Sequence, residues 1–330
     1  MSLSISDAPG GAEAVREATL RLRVRSHRQV SSGVTELLLV ADDASELPSW
    51  TPGSHIDVQV RPGLVRQYSL CGDPEDRGQW RIAVLREPES RGGSAALCER
   101  VQAGDVLTAT GPRNHFPLHE SPRYLFIAGG IGITPIIPMI SAAHAAGADW
   151  RLVYGGRSEA SMAYRDEVGS FDPERVLEWP QDRRGLIELD RLLDEPQPGT
   201  LIYCCGPEPL IAAVEAKSAH WPHKTLQVER FAPRPLTEVA PNTSFEIELV
   251  DSDEVLVVPP DQSILEVVDE AGIYVLSNCE EGTCGTCRTT VLEGVPDHRD
   301  SVLDEDERAA NDTMMICVSR ALSSRLVLDL

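Results

Sequence analysis

The sequence predicts a multidomain protein of mixed α+β and α/β class, and three observations predict it. Short alternating strands separated by Pro/Gly turns fill the first third, strand and helix signals alternate through the middle, and a cysteine loop of defined spacing stands near the end. In order, these read as an antiparallel β-barrel, a parallel sheet with flanking helices, and a separate domain built around the cysteines. At 330 residues and 42% hydrophobic content, the chain is long and apolar enough for two or three cored domains.

The composition excludes some classes. No apolar run reaches the roughly 18 residues of a membrane span, and Met1–Gly11 reads as a loose tail with nothing like a secretory signal, so a cytoplasmic protein is expected. A net charge of −22 argues against nucleic-acid binding. From Thr243 onward there are 20 Asp and Glu against 5 Arg and no Lys, a net of −15. That acidity is either a solvated surface or a docking face for a basic partner.

In the first segment, Leu20-Arg21-Leu22-Arg23-Val24 alternates as a half-buried strand does, and strand-like runs follow at Val34–Val40, His55–Val60, Gln67–Cys71 and Trp80–Leu85. Turns such as Thr51-Pro52-Gly53 and Arg61-Pro62-Gly63 separate them. On a strand, Arg66 and Tyr68 would share one face and Gln67 and Ser69 the other, a plausible grip for a phosphate or a flavin edge. Ser90-Arg91-Gly92-Gly93-Ser94 opens a short helical stretch, Ala95–Glu99, and reads either as a phosphate site or as a loop capped by Ser94.

The middle segment begins with the buried-strand run Arg123–Ala128, then Gly129-Gly130-Ile131-Gly132-Ile133-Thr134-Pro135 and an apolar helix to Ala146. Thr134 reads as its cap and Pro135 as its first helical residue, with glycines that let a pyrophosphate or a ring come close. Strands at Trp150–Tyr154, Arg175–Trp179 and Thr200–Cys204, with a helix at Ser161–Gly169, complete the alternation. Ligands bind at the carboxyl ends of such strands, where Gly129–Thr134, Gly155–Ser158 and Cys205-Gly206-Pro207 fall. Cys204 and Cys205 alternate faces, so Cys204 is expected to be structural and Cys205 to line a cofactor. Phe231, after Leu226–Arg230, is either core or the cover of a flat cofactor.

Cys279, Cys284 and Cys287 form a C-x4-C-x2-C loop, with Cys317 after 29 further residues. This is the plant-type spacing for a [2Fe–2S] cluster, and Gly282 and Gly285 allow the loop to wrap with its N–H groups aimed at sulfur. Structural zinc draws on two short pairs, whereas Cys317 stands alone in Met314–Val318; zinc and a disulfide framework are both disfavoured.

With these motifs in order, the chain resembles the phthalate dioxygenase reductase family, the flavin-containing reductases of oxygenases such as vanillate O-demethylase. The resemblance rests on Arg66–Leu70, Arg91–Ser94, Gly129–Pro135, Cys204–Pro207 and the cluster loop with Cys317, supported by His298-Arg299-Asp300 and the ending Leu326–Leu330. It implies an FMN-binding barrel at 14–117, an NAD(P)H-binding domain at 118–232, a linker at 233–242 and a plant-type ferredoxin (β-grasp) domain at 243–330. It also implies that Arg66, Tyr68 and Ser69 contact the flavin, that Gly92, Gly93 and Ser94 hold its phosphate, and that Ser69, Thr134, Cys205 and Phe231 surround the reacting ring. Gly130, Gly132, Gly206 and Pro207 would line the nucleotide path, and the four cysteines would ligate iron.

Two departures stand out. Leu85 occupies a position where a lysine is expected, so one flavin contact is either missing or supplied by Arg86. Arg157 and Ser158 lie where the adenosine ribose is expected, and Arg157 could accept a 2′-phosphate in place of the NADH default. The expected activity is electron transfer from NADH through FMN to the [2Fe–2S] centre and on to an oxygenase component, Rieske-type or a cytochrome P450, docking at the acidic ferredoxin domain. FAD in place of FMN, and a non-catalytic redox sensor, are the alternatives.

Overall fold

The computed structural model describes residues 19–87, 92–234 and 241–330. Ser90, Arg91, the opening tail and most of the expected linker lie outside the described residues.

The first domain is one antiparallel sheet of six strands: β1 (Thr19–Ser31), β2 (Val34–Ala41), β3 (Ser54–Arg61), β4 (Leu64–Ser69), β5 (Trp80–Leu85) and β6 (Val106–Asn114), in the order β4-β3-β6-β1-β2-β5. The alternation of β1 buries Leu22 and Val24 and leaves Arg21 and Arg23 outside. These join Leu37, Leu39, Ile56, Val58, Trp80 and Ile82 in a barrel core. Just past β4, the Cys71 N–H donates to Arg81 O of β5 at 2.9 Å, drawing the two edge strands together. The helix α1 (Gly93–Glu99) lies between β5 and β6.

The second domain is a fully parallel five-stranded sheet. It contains β7 (Arg123–Gly129), α2 (Ile133–Ala145), β8 (Asp149–Gly156), α3 (Arg165–Phe171), β9 (Val176–Pro180), α4 (Gln181–Arg184), α5 (Leu189–Leu193), β10 (Thr200–Cys205), α6 (Glu208–Ser218) and β11 (Leu226–Glu229), with sheet order β11-β10-β7-β8-β9. Its two faces carry separate cores. Cys205 packs with Phe126, Trp150 and Tyr154 on one, and Cys204 packs with Ile127, Val153 and Val214 on the other, as strand alternation requires.

Two boundaries differ from expectation. α2 begins at Ile133, because a 3-10 turn at Gly130–Gly132 runs directly into it; Thr134 is therefore its second residue and Pro135 its third, and Gly132 is the cap. The expected helix from Ser161 starts only at Arg165: Tyr164 takes a left-handed φ of 60°, which an α-helix cannot continue through.

The third domain follows residue 241 with β12 (Phe245–Leu249), β13 (Glu254–Val258), α7 (Ile264–Glu270), β14 (Arg288–Glu293), β15 (Pro296–Asp297), α8 (Glu305–Ala310), β16 (Thr313–Met315), β17 (Arg320–Ala321) and β18 (Arg325–Leu328). Its main sheet, β13-β12-β18-β14-β16, pairs β12 with β18 in parallel, and its core takes Ile264, Leu265, Val267 and Val268 from α7. A sheet closed over one helix is the β-grasp form. Reciprocal caps start both helices, Ser263 with Glu266 and Asp304 with Glu307.

The domains touch. Arg81 of the barrel forks onto Glu167 of α3 at 2.6 and 2.8 Å, and Ile131 and Ala163 share a small core with Val34, Cys71 and Ala83. The Arg234 N–H donates to Ser301 Oγ at 2.7 Å, and His223 and Lys224 each lie 2.9 Å from Asp306 of α8. Among the described residues, no helix is long and apolar enough to cross a membrane.

Candidate functional site

Where the three domains meet there is an open cleft. The barrel supplies His55, Arg66, Gln67, Ser69 and His115, the end of β11 supplies Glu229, Arg230 and Phe231, and the cysteine loop supplies Cys279, Glu281 and Thr283.

β4 is an edge strand, and this alters the expected division of its faces. Arg66 lines the cleft together with Gln67 and Ser69, while Tyr68 packs on the barrel core, where burial raises its pKa. The arginine is long enough to reach round the uncovered edge; the tyrosine ring stays under the sheet. A Cβ built on Gly93 would come within 3.0 Å of Arg66 Cγ and 3.3 Å of Nε, so two motifs far apart in sequence are joined here. Ser94 is not the cap of α1; that position is Gly92, at φ 88°, and the Ser94 hydroxyl accepts the Glu87 N–H at 3.1 Å. Arg86 does not line the cleft and is paired with Glu99 at 2.5 Å.

At the strand ends of the second domain, the glycines serve a different purpose from the expected one. A Cβ on Gly132 would fall 2.2 Å from Cys205 O, and one on Gly206 would fall 3.0 Å from Gly129 Cα. The two loops therefore pack backbone to backbone, and only Gly130, at φ 56°, faces open space. Pro207 caps α6. Thr134 is buried and donates from Oγ1 to Ile131 O at 2.9 Å. Arg157 is exposed at the end of β8, and Ser158 is held in the following turn by Ser161.

Glu229 escaped the sequence reading. It is only half-buried as a residue, yet enclosure of its carboxyl pushes its pKa up to about 8, against hydrogen bonds from Ser69 and Cys205 that hold it down. Cys205 Sγ lies 3.9 Å from Glu229 Oε2, and burial pushes the thiol well up. Ser69, Cys205 and Glu229 thus form one hydrogen-bonded cluster, and Phe231, two residues beyond Glu229, lines the same cleft at 45% exposure.

The four cluster cysteines converge. Cys284, Cys287 and Cys317 are buried and Cys279 faces the cleft. Thiol contacts link Cys279 to Cys284 and Cys317, and Cys317 to Cys287. Cys279 Sγ accepts the N–H groups of Glu281 and Thr283 at 3.3 and 3.4 Å, and Cys284 Sγ that of Thr286 at 3.4 Å. Gly282 (φ 69°) and Gly285 (φ 72°) permit this wrapping, and a Cβ on Gly282 would strike Val318 at 2.6 Å. Four sulfurs, each in thiol contact with another, with N–H groups turned toward them, fit a [2Fe–2S] centre. Asp300, from the expected His298–Asp300 block, lies behind the loop, where a Cβ on Gly282 would come within 3.1 Å of its Cα, and its Oδ2 accepts the N–H groups of Val302 and Leu303.

The cleft also fits a flavin nucleotide. Buried His55 Nε2 and Gln67 Nε2 have no hydrogen-bond partner among the described residues, and both residues line it.

A cleft that combines a nucleotide-type parallel sheet, a flavin-type barrel and a four-thiolate loop defines an electron-transfer oxidoreductase with its one-electron centre built in. Comparison with known proteins agrees. Residues 126–216 match the oxidoreductase NAD-binding domain family, and residues 247–322 match the 2Fe-2S iron-sulfur cluster binding domain family. The phthalate 4,5-dioxygenase oxygenase reductase subunit of Pseudomonas putida is 39% identical over 94% of this chain and 96% of its own. A phthalate dioxygenase reductase structure matches with TM-score 0.69 at 35% identity, covering 94% of this chain and 98% of the other. An intact type IV self-sufficient cytochrome P450 monooxygenase matches with TM-score 0.89 at 42% identity; it covers 94% of this chain, which spans only 41% of that longer one. The chain belongs to the phthalate dioxygenase reductase family.

Proposed function

We propose that this protein takes electrons from NADH at the cleft and delivers them singly, through the cysteine loop, to an oxygenase component that docks on the ferredoxin domain. The observation that carries this reading is the single cleft shared by Ser69, Glu229, Phe231 and Cys279. FMN, when bound, supplies the conversion of a hydride into single electrons, and the [2Fe–2S] centre supplies the one-electron exit. In this reading Arg66, with Gly92, Gly93 and Ser94, would hold the flavin phosphate; Ser69 and Gln67 would hold the ring edge; and Phe231 would cover the ring. Thr134, Cys205, Gly206 and Pro207 line the nicotinamide approach, with Gly130 and Gly132 in the turn beneath it and Arg157 and Ser158 at the adenosine end. Cys279, Cys284, Cys287 and Cys317 hold the iron. Tyr68 supports β4 from the core, and Arg86 is not needed. The boundaries 14–117, 118–232 and 243–330, with a linker at 233–242, belong to the same reading.

The purified protein is expected to show flavin and iron–sulfur absorbance, to release FMN on heating, and to reduce cytochrome c with NADH. Absence of both chromophores after reconstitution, or no NADH-driven reduction, overturns it. A second acceptor is favoured by one observation: the three-domain arrangement follows the P450-linked structure more closely than the phthalate dioxygenase reductase, at TM-scores of 0.89 and 0.69. Turnover assays with a P450 and with a Rieske-type oxygenase decide between the two customers.

A further inference from the structure

The barrel reaches into the cluster loop at two points. His115, just past β6, lines the cleft and lies against Gly285, where a Cβ would come within 2.9 Å of His115 Nε2. Behind it stands His55 of β3, with ring centroids 5.6 Å apart and planes tilted by 35°. At the other end of the loop, Asn278 Nδ2 donates to Asp57 of β3, a buried carboxylate that is also paired with Arg113 of β6. Between these contacts lie the ligand positions Cys279 and Cys284.

No helix or strand holds this part of the chain, since α7 ends at Glu270 and β14 begins at Arg288. Within its own domain it is held at Gly282, whose O accepts the Ser301 N–H at 2.8 Å, while its placement against the barrel depends on the contacts at its two ends. An imidazole makes a firm wedge there because it is flat, has few rotatable bonds, and can approach closely where Gly285 has no side chain.

We propose that His115 is a positioning residue for the interdomain electron step: its ring wedges against Gly285 and, with the Asp57–Asn278 contact as the second grip, fixes the cluster loop's distance from the flavin cleft. In each transfer one electron leaves the reduced flavin and one ferric iron becomes ferrous; NADH is the electron source, and no bond is made or broken in the step. The inference rests on the reading of the cleft as the flavin site.

The test uses the full-length holoprotein carrying H115A or H115F. Amide hydrogen exchange is followed at residues 278–287, cluster integrity is read from the EPR g-values of the reduced protein, and rapid mixing with NADH gives the ratio of cluster reduction to flavin reduction. For H115A, loop exchange is expected to accelerate and the ratio to fall several-fold with unchanged g-values, because electron tunnelling between the flavin cleft and the cluster weakens steeply as the loop moves away. H115F, which keeps a flat ring, is expected to stay near wild type. A ratio in H115A indistinguishable from wild type, unaltered loop exchange, or a loss in H115F as large as in H115A overturns the proposal. If H115A fails to retain its cluster, H115F decides: wild-type values support the wedge, and slow cluster reduction refutes it. A protein that binds no flavin would defeat the functional reading instead, and the loop-exchange comparison would still report on the wedge.

Discussion

Glu229 joins two residues that the sequence keeps far apart, Ser69 of the barrel and Cys205 of the parallel sheet. Its carboxyl pKa of about 8, against an ordinary 4.5, has a defined consequence. Between those values the folded protein holds a proton that the unfolded chain has released, so stability falls as pH rises through that window and levels off above it. E229Q removes the titrating group, and its melting temperature is expected to change less than wild type's between pH 5 and 8, as calorimetry can show. On the proposed reading of the cleft, a carboxyl still protonated at neutral pH would be a donor beside the flavin ring. The NADH-driven rate is therefore expected to decline as pH rises through about 8 in wild type and to be flat in E229Q. A wild-type profile that is flat there counts against a protonated Glu229. Among the four cysteines, C317S removes a buried sulfur that touches both Cys279 and Cys287. Iron content is expected to collapse while flavin content remains, by metal analysis and absorbance.

At the scale of elements, the strand-end loops of the parallel sheet are held by contact between backbones. The Gly132 position leaves 2.2 Å for a Cβ against Cys205 O, whereas Gly130 meets nothing within 4 Å. G132A is therefore expected to force the β7–α2 and β10–α6 loops apart, costing about 2–3 kcal/mol in denaturant unfolding and weakening NADH binding. G130A meets only its left-handed backbone, a cost of about 1 kcal/mol; equal effects of the two would refute the packing argument. The same contrast explains what could be read from sequence. β1, β2 and β7 declared themselves by alternation or by a continuous apolar run, and the cluster ligands by local spacing. β6 was missed because its run, VLTATGPRN, is broken by Gly111-Pro112, and the short α4 and α5 carry too few turns to show a period. Thr134 looks like a cap in sequence because the 3-10 turn before it has no signature of its own. Glu229, His55 and His115 look ordinary in sequence; only the meeting of domains brings them to one cleft.

For the whole molecule, the uneven charge separates two kinds of contact. Inside, the grip on the cluster loop is made at Asp57, which is 1% exposed, where screening by salt is weak. Outside, residues from Thr243 onward carry a net −15 of the total −22, and the segment Asp261–Cys287 has no Lys, Arg or His at all. A basic protein acceptor is attracted by that field and a small anionic acceptor is repelled by it. Raising ionic strength from about 0.05 to 0.5 M shortens the screening length to a few ångströms and removes both effects. The NADH-driven reduction of cytochrome c, a basic protein, is thus expected to lose kcat/KM by about ten-fold over that range, whereas reduction of ferricyanide, a trianion, is expected to rise. Opposite signs identify the surface field as the cause, because a general effect of salt on the flavin, the cluster or the domain contacts would move both acceptors the same way. If both fall together, the ferredoxin domain's acidity is a solvated surface and the docking role must be sought elsewhere.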